Sequence, residues 1–143
     1  MLQQNTTKRI GYWLVLLHQA FDAATTKALR DVGLNRRQWQ VLHAISIGVR
    51  TVSEIDEAFR PFLVADREES YRPVVEDFAH RGWAELDGDV ITQTDAGVSA
   101  HESAEVLVNA HADKQLRGIT QEEFLLANDV LRRIAENMRA GES

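Results

Sequence analysis

The 143-residue chain has no cysteine, only two prolines and no long apolar run. The missing cysteines exclude a disulfide framework, a thiolate zinc site and a cysteine nucleophile together. The apolar stretch Tyr12–Leu17 is cut short by His18 and Gln19. It is too brief and too polar for a membrane span or a secretory signal, so a reducing cytoplasm is the expected location, with no membrane partner. Ser, His and Asp occur without a nucleophile elbow, and no glycine-rich phosphate loop is present. An enzyme is not expected. The histidines His18, His43, His80, His101 and His111 show neither an i, i+4 histidine pair nor the clustered carboxylates of a helical metal site. They are expected to be ordinary core or surface residues, with no metal and no cofactor. Positive charge is scarce too, with 16 Lys and Arg against 22 Asp and Glu and a net charge of −6. That balance is adverse for a phosphate-binding surface, whose affinity comes mainly from Lys and Arg.

What the chain does contain is helical punctuation. Ile10, Trp13, Leu14, Leu17, Phe21, Ala24 and Ala28 recur at three-four spacing, which predicts an amphipathic helix over roughly Thr6–Arg30. Gly33 is the expected stop. Asn35 and Gln38 form a capping box that opens a helix bearing Trp39, Leu42 and Ile45, and Gly48 ends it. Thr51 and Glu54 form a second box before a short helix through Ile55, Ala58 and Phe59, which Pro61 stops. A fourth helix starts at about Arg67 or Arg72 and runs to His80, its start made ambiguous by Pro73. Asp87-Gly88, between two short runs of strand formers, predicts a hairpin with a type I′ turn. Thr94 or Asp95 caps a long fifth helix to Leu116. Thr120 and Glu123 box a last helix presenting Phe124, Leu131, Ile134 and Met138.

Two short helices, a further helix and a hairpin make the plan of a winged helix-turn-helix, so the fold class is mainly α with a small β-hairpin wing. The first and last helices each carry an apolar stripe that so small a central module would not fully cover. A homodimer would cover them, and so would a monomeric bundle in which both wrap their own domain.

Several segments carry a family resemblance in order along the chain. Leu34–Leu42, Thr51–Ile55, Phe78–Trp83, Thr92–Gly97 and Gly118–Glu123 resemble successive parts of the MarR family of transcription regulators. The resemblance covers nearly all of residues 1–143 as one domain, with a winged core at about 34–97 and dimerisation helices at about 6–30 and 98–139. It implies a homodimer that places two recognition helices in successive major grooves of double-stranded operator DNA, with the wings along the flanking minor groove. It also implies control by a small aromatic effector bound near the junction of the dimerisation and DNA-binding parts.

The distribution of charge cuts across that expectation. Residues 1–51 hold seven basic and two acidic residues, residues 52–82 four and eight, and residues 83–97 none and four. The module expected to approach phosphates is thus the most acidic part of the chain, and like charges repel. The wing tip reads Leu86-Asp87-Gly88-Asp89, without the basic residues typical of the family. Candidate DNA contacts are Arg50, Thr51, Arg60, Arg67, Ser70, Tyr71 and Arg72. Arg67 or Arg72 would read guanine edges, and Thr51, Ser70 and Tyr71 would donate to phosphates. The same arginines have Asp66, Glu68, Glu69 and Glu76 as competing partners. Arg36, Arg37, Lys8 and Arg9 would add backbone contacts. An alternative function is a winged-helix module that binds a protein or ligand and has lost strong DNA binding. Trp13, Leu17, Trp39 and His43 lie on stripes of the first two helices, where they line either an aromatic ligand pocket or ordinary core.

Overall fold

The computed structural model describes residues 8–142, so the expected start of the first helix at Thr6 lies outside the described residues. Among these, the order is α1 (Ile10–Ala28), a single 3-10 turn (Arg30–Val32), α2 (Arg36–Ser46), α3 (Val52–Ala58), α4 (Arg60–Asp66), α5 (Arg72–His80), β1 (Ala84–Asp87), β2 (Val90–Gln93), α6 (Asp95–Gln115) and α7 (Gln121–Glu142). This is the expected mainly helical plan with a two-stranded wing, plus one helix. Residues through His111 and those from Ala112 onward form two compact units.

The caps explain most of the boundaries. Asn35 accepts from the Gln38 N–H at 2.8 Å while the Gln38 side chain accepts from the Asn35 N–H at 2.9 Å, the full reciprocal box. Thr51 accepts from the Glu54 N–H at 3.1 Å, but the Glu54 carboxylate accepts from the Arg50 N–H at 3.4 Å, one residue earlier than the box requires. In the second unit Thr120 and Glu123 complete their box at 3.0 and 3.1 Å, opening α7.

The largest departure from expectation is α4. Pro61 does not merely end the preceding helix; it sits in the first turn of a new one, where its missing N–H costs nothing. The chain between α3 and α5 is therefore structured rather than a long connection. Arg67 closes α4 in the left-handed region at φ 58°, the only non-glycine residue with positive φ among the described residues. Helix α5 then begins at Arg72, with Pro73 likewise accommodated in its first turn.

The hairpin pairs Asp87 with Val90, so its two turn residues are Gly88 and Asp89. Only Gly88 has positive φ, at 61°, which is the requirement of a II′ turn and not of the expected I′. The wing is also fastened beside its turn. Thr51 bridges to Val90, the Val52 N–H donates to Asp89 O at 2.9 Å, and the Ile91 N–H donates to Arg50 O at 2.8 Å.

A continuous core of Leu42, Ile45, Ile55, Val75, Phe78 and Ile91 lies beneath α2, α3, α5 and the wing. Where the wing leaves for α6, Thr94 caps the Gly97 N–H at 3.1 Å and donates to Gly82 O at 2.6 Å. A Cβ at Gly97 would lie 2.0 Å from Trp83 O, so only glycine lets the first turn of α6 approach the backbone so closely.

Candidate nucleic-acid interface

The start of α5 is set by two carboxylates. Asp56, on α3, accepts from the Tyr71 N–H at 2.8 Å and from the Ser70 hydroxyl at 2.7 Å. Ser70 Oγ in turn accepts from the Arg72 N–H at 3.0 Å. Asp66, at the end of α4, takes the Tyr71 hydroxyl at 2.7 Å and Arg37 Nε at 2.7 Å. The guanidinium of Arg37 also lies over the Phe62 ring, 4.1 Å from its centroid. Charge-assisted hydrogen bonding to Arg37, helped by that from Tyr71, holds the Asp66 carboxyl below its ordinary range. Burial and then the neighbouring carboxylate push the Tyr71 phenol up.

This network removes two expected phosphate donors. Tyr71 is 3% exposed with its hydroxyl committed to Asp66, so it is a core residue. Ser70 spends its hydroxyl on Asp56 and on the first turn of α5. Arg37, counted in the basic surplus, is neutralised by Asp66.

The remaining candidates face outward to different degrees. Arg50 is exposed, yet its Nη1 closes the end of α2 by donating to Ile45 O at 2.8 Å and Val49 O at 3.1 Å. Thr51 uses its hydroxyl as the α3 cap. Arg60 pairs with Glu57 on the open surface. Arg72 reaches across to the wing, Nη2 donating to Gly88 O at 2.7 Å, with Glu76 at 4.0 Å on its other side. Arg67 is exposed, and its side chain makes no hydrogen bond or ion pair with the described residues. Along α5 the exposed side chains are Pro73, Glu76 and His80, and half-exposed Asp77 pairs with Arg81 at 2.9 Å. No Lys or Arg of α5 lies beyond its first turn.

The expected ligand pocket comes together only in part. Trp39 and His43 on α2 stack with His101 of α6, at centroid distances of 5.3 Å between Trp39 and His43 and 5.2 Å from each to His101. Trp13 and Leu17, on α1, are about half exposed. A separate cavity of about 360 Å³ lies beside the start of α5, with Thr26, Arg37, Asp66, Tyr71, Pro73 and Val74 in its wall. The expectation of no metal-ligand grouping needs correction: the fold brings donor atoms of His43, His101 and Glu105 within 4.8 Å of one another. Residues 43 and 101 are too far apart in the chain for local spacing to reveal the pair.

Neither a protein-family model nor a curated protein matches the chain by sequence. Solved structures do match it. CouR from Rhodococcus jostii RHA1, bound to p-coumaroyl-CoA, is 21% identical with a TM-score of 0.74, over 90% of this chain and 93% of that one. The apo form of MarR from E. coli is 17% identical with a TM-score of 0.66, over 90% and 98%. The Mycobacterium tuberculosis MarR family protein Rv2887, in complex with DNA, is 19% identical with a TM-score of 0.67, over 89% and 98%. The chain has the MarR fold. Within it, α5 holds the place that the sequence resemblance assigns to the recognition helix, and the β1–β2 hairpin that of the wing. No helix among the described residues is long and apolar enough to cross a membrane.

Proposed function

We propose that the protein is a homodimeric, cytoplasmic transcription regulator of the MarR type that binds double-stranded operator DNA under the control of a small aromatic effector. The observation that carries this is Arg67: an exposed cation without a partner among the described residues, held at φ 58° just before α5. A non-glycine residue there costs roughly 1 kcal/mol or more, and such a cost is repaid where the side chain has work to do. Arg72 opens α5 and reaches the wing turn, Arg50 and Thr51 precede α3 beside that same turn, and Arg60 opens α4. Dimerisation is supported by the open apolar face of α1, including Trp13, Leu14 and Leu17, and by that of α7, including Phe124, Leu131 and Ile134. The cavity beside α5 is better placed for an effector than Trp13, Leu17, Trp39 and His43, because an occupant there would touch the residues that set the α5 start.

Mobility-shift titrations against the DNA upstream of its own gene, at low and moderate salt, test the proposal. The wild type should form a specific complex that weakens with salt. Arg67→Gly keeps the left-handed backbone and deletes the cation, so it should bind at least several-fold more weakly while melting no lower than wild type. A folded dimer that forms no specific complex even at low salt overturns the DNA-binding proposal.

One observation favours a second function, a winged-helix module that binds a protein partner or ligand without strong DNA binding. The outward face of α5 offers Pro73, Glu76 and His80, and the wing tip offers Asp87 and Asp89. Phosphates meet repulsion there. The absence of a complex at low salt selects this function.

A further inference from the structure

We infer that His43, His101 and Glu105 form a binding site for a divalent transition-metal ion of the zinc type, tying α2 to α6. His43 Nδ1 and His101 Nε2 are 3.0 Å apart, and Glu105 follows His101 by one helical turn, its Oε2 3.8 Å from His101 Nδ1. One donor atom from each residue falls within a 4.8 Å span. Ligands about 2.0–2.1 Å from a tetrahedral ion stand roughly 3.4 Å apart; His43 meets the Nε2 side of His101 and Glu105 its Nδ1 side, so the Glu105 carboxylate must turn toward the nitrogen that faces His43 to close the set. That carboxylate is 43% exposed and free to turn.

An ordinary histidine pair explains the arrangement less well. A neutral pair makes one hydrogen bond, and 3.8 Å is too long for a second between His101 and Glu105. His101 is nonetheless buried, at 9% exposure, and apart from Tyr71 it is the one polar side chain among the buried described residues. The Trp39 ring stacks on His101 at 8°, closing one side against water. Two imidazoles and one carboxylate suit zinc, cobalt or nickel better than magnesium or calcium, and leave one coordination position for water. The site does not depend on DNA binding.

Titration of the full-length protein with Co²⁺ and Zn²⁺ tests the inference. Co²⁺ should give the visible bands of a four- or five-coordinate ion at one equivalent per chain, and Zn²⁺ should bleach them. His43→Gln and His101→Gln should each weaken Zn²⁺ binding at least tenfold, and Glu105→Gln by a smaller factor. His80→Gln, outside the cluster, should bind as wild type. Should buried His101→Gln fail to fold, His43→Gln and Glu105→Gln carry the comparison. No Co²⁺ spectrum, or equal affinity in wild type and a folded His43→Gln, overturns the site.

Discussion

The stretch from Leu29 to Ala104 and the helix that precedes it use similar side chains to opposite ends. In that stretch Ile55, Val75 and Phe78 are fully enclosed, whereas α1 leaves Trp13, Leu14 and Leu17 between 44% and 48% exposed and buries no residue. Both regions are helical and apolar on a stripe, so helical propensity does not separate them. The difference lies in what each stripe meets. Helices α2, α3 and α5 and the wing close on one another, and each contributes a few side chains to one core. Helix α1 has a longer stripe than its own module can cover, and burial against a second copy would satisfy it.

The comparison can be strained from both sides. Phe78→Ala should have the largest effect, about 3–5 kcal/mol of lost stability in urea denaturation at fixed protein concentration, because the ring is wholly buried. Gly97→Ala should come next at about 3 kcal/mol, the upper end for overpacking, since its Cβ would meet Trp83 O rather than a side chain that can move. On α1 the readout changes. Leu14→Glu with Leu17→Glu should shift the measured mass in light scattering toward one chain, weakening self-association at least tenfold, about 1.4 kcal/mol, while Phe78 keeps its near-ultraviolet signature. An unchanged mass would exclude the stripe of α1 as a self-association surface.

The smallest expected effect is a test of the α4 anchor. Asp66→Asn should cost about 1 kcal/mol at neutral pH, the worth of a partly exposed charge-assisted hydrogen bond after solvent screening. Because Arg37 depresses the carboxyl in the folded state, the stabilisation is complete above the ordinary carboxylate range. It is lost as pH falls through the lowered folded value. The wild type should therefore lose stability on acidification more steeply than Asp66→Asn, and parallel acid limbs would remove Asp66 from the account.

Legibility in the sequence followed the range of the interaction. Asn35 with Gln38 and Thr120 with Glu123 act over three residues, and both boxes were visible as patterns. The Thr51 box failed in part because Glu54 turned to the Arg50 N–H, an exposed donor one residue away. The turn expected at Asp87-Gly88 moved on by one residue because strand pairing, not the dipeptide, fixed the register. Helix α4 was hidden by Pro61, which ends one helix and begins another with the same ring. Tyr71 and Ser70 looked like phosphate donors until Asp56 and Asp66 arrived from other helices to claim their polar atoms. The His43–His101 pair is nonlocal altogether.

The contacts around the turn of the wing bear on how such a module can be altered. Arg72 holds the turn through Gly88 O, and Thr51 and Val52 hold the strand through Val90 and Asp89. The hairpin is thus not an exchangeable cassette. A wing transplanted from a basic relative to correct the acidic tip would keep its anchors only if it reproduced the Gly88 carbonyl position and the Val90 register. Single substitutions at Asp87, whose side chain takes no part in these bonds, are the economical route to a more basic tip.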